Sequence, residues 1–270
     1  MSTVTLAPAL PAQTTLTSGE HCSGPARQVG QQVRIQVPGG FAVFTITEAE
    51  ASPLTVRLGT DAQGRLGKPT LPLSASLVTP IPDANQTPAQ AQAVGGGAEV
   101  TVSGSKYLVL APHGGSVEAG TDAQALTAAG ILKGAGWAFY GYGAGSYARW
   151  HITSTELYPA SWPRLQALLN VCRQYSYAVA FHGFSSSGIL IGGSAPLYLK
   201  QKVQAALQGA APGQIVSIAV AGASYSGDSS RNLVNRFAKY GIQIEQSMAA
   251  RQTYGNAIAQ AVAGILLAQP

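Results

Sequence analysis

The sequence predicts an α/β protein, a mixed central sheet with helices on both faces, preceded by a small β-rich region over residues 1–98. Three observations predict it. From residue 105 onward, short apolar runs alternate with segments of helical periodicity. Residues 27–80 instead carry β-branched and aromatic runs broken by turn signals. Between them lies 82–98, PDANQTPAQAQAVGGGA, a Pro/Gln/Ala/Gly-rich stretch that reads as a linker or long loop. The chain has 270 residues, 46% of them hydrophobic and 10% charged, enough for a sizeable core in one large domain or a domain plus a small one.

In the first region QQVRIQV, GFAVFTI and LTVRLG are the strand candidates, with VPGG and DAQG as turns. In the second, KYLVLA reads as a buried strand. DAQALTAAGILKG follows as a helix, with Thr121 as its N-cap and Gly134 near its end. WAFYGY is a strand, and WPRLQALLNVCRQ a helix with Pro163 in its first turn. YAVAFHG and GILIGG are strands, and APLYLKQKVQAAL is a helix. IVSIAVAG is a strand, SSRNLVNRFAKYG a helix closed by Gly241, IQIEQS a strand and GNAIAQAVAGILLA the last helix. There is no internal repeat.

No apolar run approaches the roughly 18 residues of a membrane span. The first twenty residues lack a basic n-region and a long apolar core, so no secretory signal is expected there. Synthesis in the cytoplasm, with action outside the cell after lysis or by an unrecognised export route, is the matching expectation. Cys22 and Cys172 are spaced neither as a disulfide framework nor as metal ligands; they read as two idle thiols or one long-range disulfide. Residues 1–112 carry six Lys/Arg and six Asp/Glu, whereas residues 113–270 carry ten Lys/Arg and five Asp/Glu. The excess positive charge lies wholly in the second part, which favours an anionic partner. The basic residues are dispersed and no aromatic platform motif accompanies them, so nucleic acid is not expected.

In open α/β sheets ligands collect beyond the carboxyl ends of the strands. His113 follows YLVLAP, His182 ends YAVAFH and Glu245 lies in IQIE, each at such an end. His113 and Glu118, five residues apart, would stand roughly 140° apart on a helix, at about 100° per residue, so only a loop that doubles back brings them together. Gly114-Gly115 permits such a loop. Two His and one Glu make the ligand set of a catalytic zinc with an open position for water, whose pKa then falls to about 7. Glu245 would take the proton and pass it to a leaving amine. The same residues also admit ordinary hydrogen-bonded strand ends. HGGS resembles a lipase oxyanion loop, but GFSSSG and GASYSG do not fit G-x-S-x-G. GYGAGS lacks the Lys-Ser/Thr of a phosphate loop and reads as a flexible loop.

APHGGSVEAGTD, WHITSTELY, AVAFHGF, IGGSAPLYLKQKV, NLVNR and GIQIEQSMAAR occur in the order seen in the poly-γ-glutamate hydrolase family, and the chain resembles that family over roughly residues 105–268. The resemblance implies a phage-type zinc metallopeptidase with a fold similar to a trimmed carboxypeptidase A, occupying residues 99–270. It implies His113, Glu118 and His182 as zinc ligands, Glu245 as general base, and Arg236 and Arg251 as arginines that clamp substrate carboxylates or stabilise an oxyanion. WHITST resembles the family's His-Thr segment and makes His151 a substrate-binding candidate. Trp150 replaces the family's Leu, however, and ELYPASWP departs from its continuation. The implied reaction is zinc-dependent hydrolysis of γ-glutamyl amide bonds, in an anionic polymer or peptide, by a monomer. Two alternatives stand beside it: a lysin-like peptidase acting on γ-D-glutamyl bonds of peptidoglycan, and a module that binds an anionic polymer without cutting it.

Overall fold

A computed structural model describes residues 2–8, 21–25, 29–50, 55–79, 81–171 and 174–270. In chain order the elements begin with β1 (Ser2–Pro8), β2 (His21–Pro25), β3 (Gln32–Val37), β4 (Gly40–Glu50), β5 (Thr55–Leu58), α1 (Thr60–Arg65), β6 (Leu73–Val78), α2 (Pro88–Val94) and β7 (Gly97–Val102). Then come β8 (Tyr107–Gly115), α3 (Thr121–Leu132), β9 (Ala135–Gly141), α4 (Ser146–Trp150), α5 (Pro163–Val171), β10 (Tyr175–Gly183) and β11 (Ile189–Gly192). Last are α6 (Leu197–Ala210), β12 (Val216–Ile218), α7 (Leu233–Arg236), β13 (Ala238–Gln246) and α8 (Met248–Leu267). The chain divides into two compact units, Met1–Asn85 with Ala144–Pro163, and Gln86–Gly143 with Arg164–Pro270.

The first unit holds a closed barrel in the order β1-β5-β2-β4-β3-β6, shut by antiparallel pairing of β6 with β1. Closure leaves no free strand edge. Period-2 alternation sends Val33, Ile35 and Val37 of β3, and Ala42, Phe44 and Ile46 of β4, into its interior. DAQG is not a simple turn: Asp61–Gly64 forms most of α1.

The second unit is a seven-stranded mixed sheet in the order β12-β11-β13-β10-β8-β9-β7. The four middle strands β13, β10, β8 and β9 run parallel, while β7 and β11 pair antiparallel to their inner neighbours. Val109, Val179, Phe181, Ile242 and Ile244 face the layer made by α3, α6 and α8. The opposite face meets α5, whose first N–H groups, Arg164 N and Leu165 N, donate to the Glu99 carboxylate of β7. No described helix is long and apolar enough to cross a membrane.

Several local readings change. Within 82–98, Thr87 and Gln90 make a reciprocal capping box that starts α2, so the stretch is partly helical. The N-cap of α3 is Gly120, in the left-handed region, and the Thr121 hydroxyl donates to Glu118 O. SSRNLVNRFAKYG is helical only over Leu233–Arg236. Its second half enters β13, which pairs with β10 from Ala238 onward, so the sheet ladder overrides the local helical period. Gly241 ends no helix; a Cβ there would lie 2.2 Å from Asn235 Oδ1. Cys172 lies outside the described residues.

Candidate metal and catalytic site

Parallel pairing places the carboxyl ends of β8, β10 and β13 along one edge of the sheet, and each end contributes a buried polar residue. His182 and Glu245 are register partners on adjacent strands, so their side chains share a face. His113 reaches them through a bulge. Between Ala111 and Gly114 the register of β8 against β9 shifts, setting two residues of β8 opposite one of β9.

The doubling-back of the next residues follows from the glycine pair. Gly114 packs so closely that a Cβ would lie 2.5 Å from Phe139 O. Gly115 has φ +69°, a conformation open to glycine. The turn closes with Glu118 N donating to His113 O at 2.7 Å. Glu118 thereby returns its carboxylate to His113, with Oε1 3.0 Å from His113 Nδ1. Its Oε2 accepts from Gly183 N at 2.9 Å and stands 3.5 Å from His182 Nδ1. The two Nδ1 atoms of His113 and His182 are 3.3 Å apart.

Two imidazole nitrogens this close cannot both carry a proton toward each other, because two facing N–H groups would clash. Two imidazoles and a carboxylate, all buried and convergent, are the donor set of a borderline divalent metal. The residues present therefore fit a metal ion held by His113, Glu118 and His182. Burial works against the charge of Glu118, but the His113 and His182 imidazoles outweigh it and hold its carboxyl far below the usual range.

Glu245 behaves oppositely. Burial pushes its carboxyl up to about 7; His182 pulls the other way, and the Glu118 charge adds to the rise. The cluster thus keeps one firm anion and one carboxyl that titrates near neutrality. Glu245 Oε1 accepts from Gln243 Nε2 at 2.9 Å, and Gln243 Oε1 accepts from Asn232 Nδ2 at 2.6 Å. Both amides lie in the NLVNR and GIQIEQSMAAR segments, but the sequence assigns them no role; Gln243 precedes Glu245 by two residues and so shares its face of the strand.

Arg251, in the first turn of α8, is buried. Its Nη1 donates to Gln246 O and its Nε to Ala119 O, joining the end of β13 to the loop behind Glu118. Gly183 makes room for it: a Cβ there would fall 2.1 Å from Arg251 Nη1. Arg236 lies exposed at the end of α7, its guanidinium 5.1 Å from the centre of the Phe237 ring. His151 belongs to the first unit, where it ends α4 and stacks on Tyr147 with centroids 4.4 Å apart. Its carbonyl accepts from Arg65.

The family described as "Poly-gamma-glutamate hydrolase" matches residues 90–261. Among solved structures, the chain is similar to a bacteriophage poly-gamma-glutamate hydrolase, with 21% identity, a TM-score of 0.51, 62% of this chain covered and 87% of the other. It is also similar to the zinc-free form of YNDL, with 24% identity, a TM-score of 0.52, 68% of this chain covered and 93% of the other. No curated protein matches the chain.

Proposed function

The chain belongs to the poly-gamma-glutamate hydrolase family, and from that premise we propose that it is a zinc-dependent hydrolase that depolymerises poly-γ-glutamate at its γ-glutamyl amide bonds. One observation carries the reading. The His113 and His182 imidazoles and the Glu118 carboxylate converge, with donor atoms 3.0–3.5 Å apart, beside the buried Glu245. Tetrahedral ligands about 2.0–2.1 Å from zinc stand roughly 3.4 Å from one another, which is the spacing of this set. His113, Glu118 and His182 would hold the ion, which would polarise the scissile carbonyl and acidify a water molecule.

Glu245 has the pKa and burial of a general base. Its carboxylate takes a proton from the attacking water as the C–O bond forms. It then gives that proton to the departing α-nitrogen as the C–N bond breaks, leaving a γ-carboxylate on one fragment and an amine on the other. Each residue of the polymer also carries a free α-carboxylate. Two N–H vectors of Arg251 are committed to backbone carbonyls; among the described residues its Nη2 meets no acceptor, so Nη2 is assigned to a substrate oxygen. Arg236, exposed, is assigned to an α-carboxylate farther along the polymer. The excess of basic residues over 113–270 suits a polyanion and predicts a KM that rises with salt.

The test is to incubate the purified protein with poly-γ-glutamate and to follow chain length and zinc content. Cleavage that a chelator stops and zinc restores supports the reading. Cleavage indifferent to chelation overturns the metal, and cleavage of purified peptidoglycan but not of poly-γ-glutamate overturns the substrate.

A further inference from the structure

Resting on the reading of Glu245 as the proton acceptor, we infer that Gln243 is a positioning residue for that carboxylate, and that Asn232 sets the direction in which the Gln243 amide points. The observation is a one-way chain of donors. The N–H of Val234, in the first turn of α7, donates to Asn232 Oδ1 at 3.2 Å. A backbone N–H cannot reverse its role, so Asn232 Nδ2 is left as the donor on the other side. It donates to Gln243 Oε1 at 2.6 Å. The Gln243 NH2 group is thereby turned toward Glu245, and Nε2 donates to Oε1 at 2.9 Å.

The opposite orientation of Gln243 would set its oxygen against a carboxylate oxygen and its NH2 group against that of Asn232. The backbone of α7 thus decides the polarity of every link. The chain is also walled in. Asn232 and Gln243 are 3% and 5% exposed. Gly227, at φ +63°, packs so closely that a Cβ would lie 2.8 Å from Gln243 Cδ. Gln243 Nε2 has a second, longer contact with Tyr225 O at 3.5 Å.

The consequence lies at Glu245. One oxygen, Oε1, is tied by a directed donor, which holds the carboxylate in one orientation. Among the described residues no donor meets Oε2, so Oε2 is the oxygen that takes the proton. Neither amide touches substrate; both act through Glu245. The NLVNR segment, which supplies Arg236 to the proposed substrate contacts, has a second task in its first residue.

The experiment compares zinc-loaded wild type with Gln243→Met, which keeps the volume and removes the donor, and with Asn232→Asp. The latter still caps α7, since Asp is as good an N-cap as Asn. It cannot donate, however, so it draws the Gln243 NH2 group away from Glu245. In both variants kcat on poly-γ-glutamate is expected to fall about 10–100-fold, the scale for losing a partner that orients a site residue. KM is expected to stay within about three-fold, with zinc content unchanged. In the Glu245→Gln background, either change is expected to cost less than about two-fold more, because its route to the chemistry is already gone. A folded variant with kcat within two-fold of wild type overturns the inference, as does an undiminished further loss in the Glu245→Gln background. Should Gln243→Met not fold, Asn232→Asp decides alone. Should the wild-type zinc enzyme leave the polymer intact, the functional reading has failed. The inference is then judged by crystal structures of wild type and Gln243→Met: a dispersed Glu245 side chain supports it and an unchanged one overturns it.

Discussion

The edge strand β7 and the inner strand β13 each bury a carboxylate, and the two acids are handled in opposite ways. Glu99 of β7 is 2% exposed and receives three donors: Trp137 Nε1 at 2.7 Å, Leu165 N at 3.0 Å and Arg164 N at 3.2 Å. Glu245 of β13 is 5% exposed and, among the described residues, receives one, from Gln243. Burial raises the carboxyl pKa of both. At Glu99 the donors are spent on joining the start of α5 to the sheet, and the acid is a structural joint. At Glu245 the acid keeps an oxygen to use, and its neighbours are two imidazoles and a second carboxylate. Depth of burial therefore does not separate a structural acid from a reactive one; the number of donors aimed at it does.

The strongest way to break this comparison is to remove the group beside Glu245. Glu118→Ala is expected to lose zinc stoichiometry and all detectable hydrolysis, measured by metal analysis and polymer chain length; a zinc-replete, active variant would refute the ligand set. Next is Glu245→Gln, expected to bind zinc normally while kcat falls roughly 10²–10⁴-fold, the usual range for a general acid–base group. Glu99→Ala should do the reverse. It leaves buried donors unpaired, at about 1–3 kcal/mol for each unsatisfied group, and lowers Tm, while kcat at a temperature where it stays folded remains within about two-fold of wild type. A loss of kcat without loss of Tm would erase the distinction between the two acids.

The smallest effect is the most diagnostic, and it is read on chelator-treated protein. Glu245 has its folded pKa raised from an ordinary 4.5 to about 7. The unfolded chain loses this proton first, so the neutral acid contributes stability that is complete below pH about 4.5 and is lost as pH rises through about 7. Above that, the ionised group costs the metal-free protein about 3 kcal/mol. Glu245→Gln should therefore be the more stable protein above pH 7 by denaturant melts, with the difference vanishing toward pH 4.5. Equal stability across the range would mean that Glu245 is not a strained carboxylate.

Much of the second unit was legible because its strands are apolar runs closed by polar residues. YAVAFH, for example, reads as a buried strand with His182 at its end, and β10 ends there with Gly183. Gly114-Gly115 signalled a loop able to return on itself, and the turn from His113 to Glu118 uses both. Other features were out of reach. FAKYG reads as the end of a helix closed by Gly241, and only pairing with β10 makes Ala238–Gln246 a single strand. Gln243 and Asn232 fall in the GIQIEQSMAAR and NLVNR motifs, but nothing in the linear sequence links them, eleven positions apart. The family resemblance marks Arg251 as a substrate arginine, but that its guanidinium packs where Gly183 lacks a side chain is seen only in the fold.

By itself the sequence determined the residue types and their local settings: which acids and imidazoles end apolar runs, where glycine permits reversal, and where the positive charge accumulates. These are properties of near neighbours along the chain, and periodicity and backbone sterics are enough to express them. The tertiary structure alone decided which polar groups face one another. The bulge in β8, the register of His182 with Glu245 and the direction of the Asn232–Gln243 amides are set by pairing between distant strands. Electrostatic environment depends on distances of 3–4 Å, which sequence separation does not encode. That is why Glu118 and Glu245, both glutamates buried in the fold, carry opposite shifts in the folded protein.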